Sequence, residues 1–406
     1  MENNRPLSGV KVVELSTFVA AACATRFFAD QGAEVIKVEP ISGDNLRFAA
    51  ATDGIPEDPY ENITFDLENA NKRSISLNLK NPECYEALMK LIAQADLFVT
   101  NWRPQALAKM HLDYDSLKVK FPKLVYGSVT GYGETGPDKD LPGYDGTAFF
   151  TRSGILGTTY EKGTVPINLI PSMGDRPTGM SLAAGLLAAL YRAEKTGKGD
   201  KVTISLLAMA IFMQGTLLQS SQYGKVNYPI KKTETLNPLM ASYKTKDERF
   251  VQLVLPVYNI FMPKFAKAMG HEEWLTDPRF ADMKAIENGG REDFYNTVAG
   301  VFAELTAAEA SEILTKADLP YAVAKVWPEV LKDEQAWATD CFLEKEYPSG
   351  KRAIVRNPLR FAESGLPPYE CAPQLGENTV EIMKELGYSD DKINELLAAR
   401  DLRCGL

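Results

Sequence analysis

Histidine is nearly missing. The 406 residues contain two, His111 and His271, each in a polar segment that reads as exposed. A His-based triad or a His-rich metal site is hard to assemble from them. A reacting group, if there is one, is then a carboxylate, a Cys or a Ser. Cysteine is sparse too: Cys23, Cys84, Cys341, Cys371 and Cys404 are scattered, with no CxxC pair. That argues against a zinc ribbon and fits reduced thiols in the cytoplasm. Excess positive charge is also lacking, with 45 Lys and Arg against 54 Asp and Glu. A net charge of −9 argues against a nucleic-acid binder, but local Lys/Arg clusters remain able to hold a small anion. Long apolar runs are absent. The most apolar window, Leu182 to Leu190, is too short and too rich in Ala and Gly to span a bilayer. Met1 to Arg5 carries no signal-peptide pattern. The expectation is a soluble, cytoplasmic protein without a membrane partner.

What is present reads as globular, with 45% hydrophobic and 24% charged residues. The length allows two to three domains. GVKVVEL (residues 9–15) is a strand with β-branched bulk, followed by a helix from about Ala20 to Gln31 and a strand at Ala33 to Glu39. Short connections make this a βαβ unit and point to a parallel sheet. Further strands are expected at Ser74 to Leu79, Leu97 to Thr100 and Lys123 to Thr130, with a helix from Asn81 to about Ala95. Strand–helix alternation over roughly the first 130 residues is the mark of an open α/β fold. Asp200 to Ser205 is a short strand and Leu206 to Ser221 a helix. Lys225 to Leu236 is basic, Pro-containing and irregular, a crossing to another unit. From Leu239 to about Asp318 hairpin-like strands and helices form a smaller α+β domain. Pro320 to Val326 reads as a strand, Val330 to Ala338 as a helix, and Glu377 to Ala398 as an amphipathic helical tail.

Basic residues recur at or next to strand ends: Arg47, Lys72-Arg73, Arg103 and Lys109. Open α/β sheets bind ligands outside the carboxyl ends of their strands. Loops there with Lys, Arg and Trp102 suit a ligand with phosphates and an aromatic base, although any one such residue is equally an ordinary solvated charge. Gly131-Tyr132-Gly133-Glu134-Thr135-Gly136 matches GxGxxG, but Pro137, Pro142 and Gly143 prevent the helix that a dinucleotide fingerprint requires. The loop is either a close backbone approach to a ligand or a plain turn. Asp140 and Asp145 flank Pro142-Gly143-Tyr144, as an acid–base pair or as turn-fixing carboxylates.

The remaining feature is Gly174-Asp175-Arg176-Pro177-Thr178-Gly179-Met180 with the apolar run Ser181 to Leu190. Pro177 suits a first helical position, which puts Asp175 at N′ and Arg176 at the N-cap. The helix reads as buried on all sides. Free N–H groups at its start favour negative charge. Asp175 is then either a turn carboxylate or an ionised nucleophile.

Taken in order, these stretches resemble the class III CoA transferases, the CaiB–BaiF family. The similarity runs through GVKVVEL, GAEVIKVEP with GDNLR, NKRSISLNLK, ADLFVTNWRP, GYGETGP with PGYD, GDRPTGM, TGKGDKVTISL, DLPYAVAKVWPEVLKDEQ and GENTVEIMKELG, nearly the whole chain. The resemblance implies that Asp175 is the nucleophile that forms a mixed anhydride and then an aspartyl-CoA thioester. It implies CoA as a substrate moiety, with no tightly bound cofactor and no metal. Arg47, Lys72, Arg73, Asn101, Trp102, Arg103 and Lys109 are then assigned to CoA. Asp145 and Tyr144 lie close to the nucleophile, and Gly131 to Gly136 or Pro177 to Gly179 offer oxyanion donors, with Gly131 and Gly133 the candidates in the glycine loop. The implied fold is α/β: a large Rossmann-like domain with a parallel sheet formed from both chain ends, plus a smaller α+β domain, in an interlocked homodimer. Residues 1–224 and 326–406 are expected in the large domain and 225–325 in the small one.

Val19 and Ala22 replace polar residues often found in the family, and the glycine-rich loop of formyl-CoA and oxalyl-CoA enzymes is missing before Leu239. Val19 and Phe149, with Phe150, are expected to line a more apolar acyl pocket. The sequence is most similar to the fermentative subgroup acting on 2-hydroxy acids such as phenyllactate or 2-hydroxyisocaproate, which implies acyl-CoA and carboxylate substrates and metabolic coupling to a 2-hydroxyacyl-CoA dehydratase. A 2-methylacyl-CoA racemase and a non-catalytic CoA-binding protein are the alternatives.

Overall fold

A computed structural model describes residues 5–49, 54, 55, 58, 60–224 and 228–405. The first part of the chain alternates as β1 (Lys11–Leu15), α1 (Ala20–Asp30), β2 (Glu34–Glu39), α2 (Ile63–Asn69), β3 (Arg73–Leu77), α3 (Pro82–Gln94), β4 (Leu97–Thr100), α4 (Pro104–Lys109), α5 (Tyr114–Lys120) and β5 (Val125–Thr130). The short α6 (Ile155–Thr158), the long α7 (Asp175–Thr196), β6 (Lys201–Ser205) and α8 (Leu206–Met213) follow. Side chains cap several helices: Asn62 accepts from the Phe65 N–H, Asn81 from Glu83 and Asp113 from Ser116.

Chain continuity and hydrogen bonding arrange the strands as β3-β2-β1-β4-β5-β6, all parallel. This is the doubly wound order, and its direction reverses between β1 and β4. Two apolar layers sandwich the sheet. On one face α1 and α7 bury Ala21, Phe28, Leu182 and Leu186 against Val12, Val99 and Val125. On the other, α3 and two C-terminal helices, Thr379–Glu385 and Asp390–Ala398, bury Leu88, Ile92, Ile382 and Ile393 against Val13, Ile75 and Phe98. The chain then closes the sheet with an antiparallel pairing of Leu402 and Arg403 to β3.

The chain divides into two compact units. One comprises Met1–Ile155, Asn168–Gln219 and Gln335–Leu406; the other comprises Leu156–Ile167 and Ser220–Glu334. Leu156–Ile167 therefore groups with the second unit rather than with the 1–224 segment. The second unit holds a three-stranded antiparallel sheet of Ser242–Lys244, Phe250–Leu253 and Tyr321–Val323. Its core stacks Tyr243 between Tyr295 and Phe302, with Phe265, Trp274 and Phe294 also buried. His271 stacks on Trp274 and pairs with Glu273, whereas His111 is exposed in the other unit. Part of the basic crossing from Lys225, residues 225–227, lies outside the described residues, as does the start of the N-terminal segment.

Among the described residues no helix is long and apolar enough to cross a membrane. All five cysteines are free.

Candidate active site

A helix that follows a parallel strand and leads to the next one starts at the carboxyl edge of the sheet, so α7 presents its first turn there. The helix begins two residues earlier than the Pro177 signal implies. Gly174 is the N-cap, Asp175 the first helical residue and Pro177 the third, still within the first turn where proline is tolerated. Pro177 has no N–H, so the free donors of this turn belong to Asp175 and Arg176 rather than to Pro177–Gly179. Nor is α7 buried all round: Ala184, Ala188, Tyr191 and Arg192 are exposed on the face opposite Leu182, Leu186 and Leu190.

Two glycines allow the site to close. A Cβ on Gly179 would stand 2.4 Å from the Ala20 carbonyl oxygen and 2.9 Å from Cys23 Cβ, so Gly179 lets the starts of α1 and α7 touch. A Cβ on Gly174 would stand 2.3 Å from Asp145 Oδ1 and from the Phe149 ring. The bare Gly174 N–H instead donates to Asp145 Oδ1 at 3.1 Å. Asp145 opens a π-helical turn (Asp145–Thr151) and is buried.

Asp145 and Asp175 therefore share one partly dehydrated centre. Burial pushes the Asp145 carboxyl up to about 6, eased by the backbone N–H of Gly174. Burial, then the charges of Asp145 and Glu68, push Asp175 up to about 7, with Arg176 pulling the other way. The helix start does not keep Asp175 ionised against these forces. Glu68, on α2 and 2% exposed, accepts from Arg176 Nε at 2.9 Å and pairs with Nη2 at the same distance. The Cys23 thiol lies against the Arg176 carbonyl and is pushed up to about 12 by burial, so it is no thiolate nucleophile.

A buried charge cluster positions α2. The Glu14 carboxylate accepts from Ser16 Oγ and from Lys37 and Lys72 Nζ, the two lysines at 2.8 Å each. The second hydroxyl partner is Thr25. Lys72 also donates to the Ala22 carbonyl and Asn69 Oδ1, both at 2.9 Å. Its three N–H bonds tie β1 to α1 and α2, the helix that carries Glu68.

The basic residues expected at CoA separate into two groups. Lys72 has a fully buried side chain and no N–H left for a phosphate, which corrects its assignment. Arg47 forks onto Glu39 through Nε at 2.8 Å and Nη2 at 2.7 Å and lies 3.8 Å over the Phe65 ring, so it too is internal. Arg73 sits at the amino end of β3, opposite the ligand-binding edge, and pairs with Glu34, Glu381 and Glu385. By contrast, Asn101-Trp102-Arg103 leaves the carboxyl end of β4 at the reversal point. Asn101 bridges the crevice there, accepting from the Thr17 N–H at 3.0 Å and donating to the Thr17 carbonyl at 2.6 Å. Trp102 is half-buried, and Arg103 and Lys109 are exposed. Among the described residues neither forms a salt bridge.

The other expected site residues also divide. Tyr144 is 59% exposed and meets Phe18 edge-on. Phe18 adopts a left-handed backbone (φ 59°) in the loop after β1, a strained conformation that often marks functional loops. Val19 is buried in a small cluster with Leu46 and Phe65, and Phe149 is buried beneath Gly174. Neither faces an open acyl pocket in this conformation. The Gly131 carbonyl accepts from the Leu207 N–H, and the Gly133 N–H donates to Thr130 Oγ1 at 3.0 Å. The Gly133 donor is thus occupied, against its assignment to an oxyanion. Asp140 contacts Gln105 and takes no part in the Asp145–Asp175 centre. Glu68 and Phe18 escaped the sequence reading, because neither stands in a recognisable motif.

An open α/β protein of doubly wound order, with a pair of dehydrated carboxylates at a helix start, is the class that fold and site define. The model of "CoA-transferase family III" matches residues 7–379, and the chain belongs to that family. It is therefore a class III CoA-transferase, an enzyme that takes CoA as a substrate moiety. The chain is 49% identical to the cinnamoyl-CoA:phenyllactate CoA-transferase of Clostridium sporogenes, over 99% of this chain and 98% of that protein. It is 44% identical to the (R)-2-hydroxy-4-methylpentanoate CoA-transferase of Clostridioides difficile, over 98% and 99% of the two chains. Among solved structures, a CAIB/BAIF family protein from Brucella suis matches with a TM-score of 0.78 and 27% identity, covering 94% of this chain and all of that one.

Proposed function

We propose that this enzyme moves CoA from an enoyl-CoA or 2-hydroxyacyl-CoA to a 2-hydroxycarboxylate such as (R)-phenyllactate or (R)-2-hydroxyisocaproate, in anaerobic amino-acid fermentation. The observation that carries the reading is the full-length likeness to two transferases named for such acids. The Asp145–Asp175 centre at the carboxyl edge of the sheet supports it.

Asp175 is the nucleophile. Its carboxylate attacks the donor thioester, giving a mixed anhydride and CoA thiolate. The thiolate attacks the aspartyl carbonyl, releases the donor acid and leaves an aspartyl-CoA thioester. The acceptor carboxylate then attacks that thioester, and the thiolate returns to the acceptor acyl carbon, regenerating Asp175. Trp102, Arg103 and Lys109, with Asn101 fixing their loop, receive the adenine and phosphates. The first-turn N–H groups of α7 face the developing oxyanions. Two chains form a homodimer, supported by the exposed Ile211, Phe212 and Met213 of α8. Cytoplasmic location and coupling to a 2-hydroxyacyl-CoA dehydratase belong to the same proposal.

A screen of 2-hydroxy and unsubstituted acids against cinnamoyl-CoA, read by mass spectrometry of the acyl-CoA products, tests the function. The expected outcome is transfer to 2-hydroxy acids with apolar side chains, abolished in Asp175→Asn. Transfer by Asp175→Asn at the wild-type rate, or no transfer to any such acid, contradicts it.

A further inference from the structure

The transfer places an anionic acceptor beside two carboxylates, and a cation stands next to them. Arg176 directly follows Asp175 in the first turn of α7, and its charge acts on that carboxyl. Two of its nitrogens, Nε and Nη2, are fixed on Glu68 Oε1, itself buried. Yet 41% of the Arg176 side chain stays exposed. Nη1 takes part in no ion pair or hydrogen bond among the described residues. The guanidinium is thus held by one edge and offers the other, the geometry that suits an incoming carboxylate. The other cations near this centre are committed elsewhere: Lys72 to Glu14, and Arg26 to Asp30 and two backbone carbonyls.

We propose that Arg176, anchored on Glu68, seats the carboxylate of the acceptor acid beside the Asp175 thioester. The inference rests on the CoA-transfer reading and names the residue that recognises its second substrate. The charge balance follows the chemistry. While Asp175 is a free carboxylate, Asp145, Asp175 and Glu68 share one guanidinium, and a further anion is repelled. Once Asp175 is a neutral thioester, one negative charge has gone and the acceptor carboxylate replaces it. Its oxygen attacks the aspartyl carbonyl, the C–S bond breaks and CoA leaves as thiolate. The seat therefore favours the acceptor after acylation, which orders the two half-reactions. Held by Nη1, the acceptor carboxylate is also kept from drifting towards Asp145.

Steady-state kinetics with cinnamoyl-CoA and (R)-phenyllactate or (R)-2-hydroxyisocaproate test this in wild type, Arg176→Gln, Arg176→Lys and Glu68→Gln. Loss of a charge-assisted pair raises the acceptor KM about 10- to 100-fold in Arg176→Gln. The acyl-CoA KM is expected to stay within about twofold, because the donor carries no free carboxylate. Arg176→Lys is expected to recover part of the loss, and it carries the same readout if the Gln variant does not fold. Glu68→Gln, which loosens the anchor, raises the acceptor KM to a smaller degree. Hydroxylamine trapping of the first acylation is expected to persist in Arg176→Gln. An unchanged acceptor KM, or an equal rise in both KM values, overturns the inference. Those results leave the CoA-transfer reading intact so long as the wild type transfers CoA; a wild type that transfers to no acid defeats that reading instead.

Discussion

Burial and two neighbouring carboxylates raise Asp175 to about 7, so near neutrality the proposed nucleophile is present in both protonation states. Only the ionised form attacks a thioester. kcat/KM is expected to rise with pH through an acid limb near 7, which Asp145→Asn moves to lower pH by removing one repelling charge. A pH–rate profile checks this, and a limb near the ordinary carboxylate value of 3.8 contradicts it. Stability carries the same signature with a definite sign. Between about pH 4 and 7 the folded chain holds a proton on Asp175 that the unfolded chain has released, so this group makes stability fall as pH rises across that window. Asp175→Asn removes the ionisation. The variant is expected to melt roughly 2 °C above wild type at pH 8 and level with it at pH 4, as calorimetry can measure. Nucleophiles often conflict with the fold in this way.

At the scale of elements, the touching starts of α1 and α7 fix where Asp175 stands. Gly179→Val places a branched side chain where a single Cβ already lies 2.4 Å from the Ala20 carbonyl. The helices must separate, destabilising the chain by about 1–3 kcal/mol and misplacing the first turn. Urea unfolding and the exchange rate are expected to fall together; an active variant of wild-type stability contradicts this packing. Much of the element pattern was legible, because β-branched runs, Gly stops and Asn caps act locally. Leu97–Thr100 falls where expected, and β1 and β2 begin one or two residues later than read. Three features were not legible. The helical tail from Glu377 to Ala398 divides into Thr379–Glu385 and Asp390–Ala398 at Gly387, whose φ is +86°, a break the pattern did not mark. The hairpin Phe342–Tyr347 and Gly350–Val355 mixes charged and apolar residues without clean alternation. Strand direction was the third: Lys72-Arg73 and Arg103 both stand at strand ends, but only Arg103 stands at the carboxyl end, where ligands bind. Lys72 moreover turns inward to Glu14, a pairing across 58 residues that no local pattern reveals. At the site itself, Asp175 was singled out by its loop and the resemblance, whereas Glu68 became visible only through its contact with Arg176.

For the whole molecule, α8 leaves apolar surface in water: Phe212 is 81% exposed and Met213 57%. The proposed homodimer would cover it. Light scattering is expected to give twice the chain mass for wild type, with Phe212→Glu shifted towards monomer; a monomeric wild type contradicts the proposed assembly. The proposed function centres on one event, the passage of an acyl group and then CoA through Asp175. Trapping that event is the most direct test. The enzyme is mixed with cinnamoyl-CoA, quenched with hydroxylamine or borohydride, digested and mapped by mass spectrometry. The account predicts a hydroxamate or a reduced side chain at Asp175, formed only with acyl-CoA and absent from Asp175→Asn. An adduct on another residue, or none during active turnover, contradicts it.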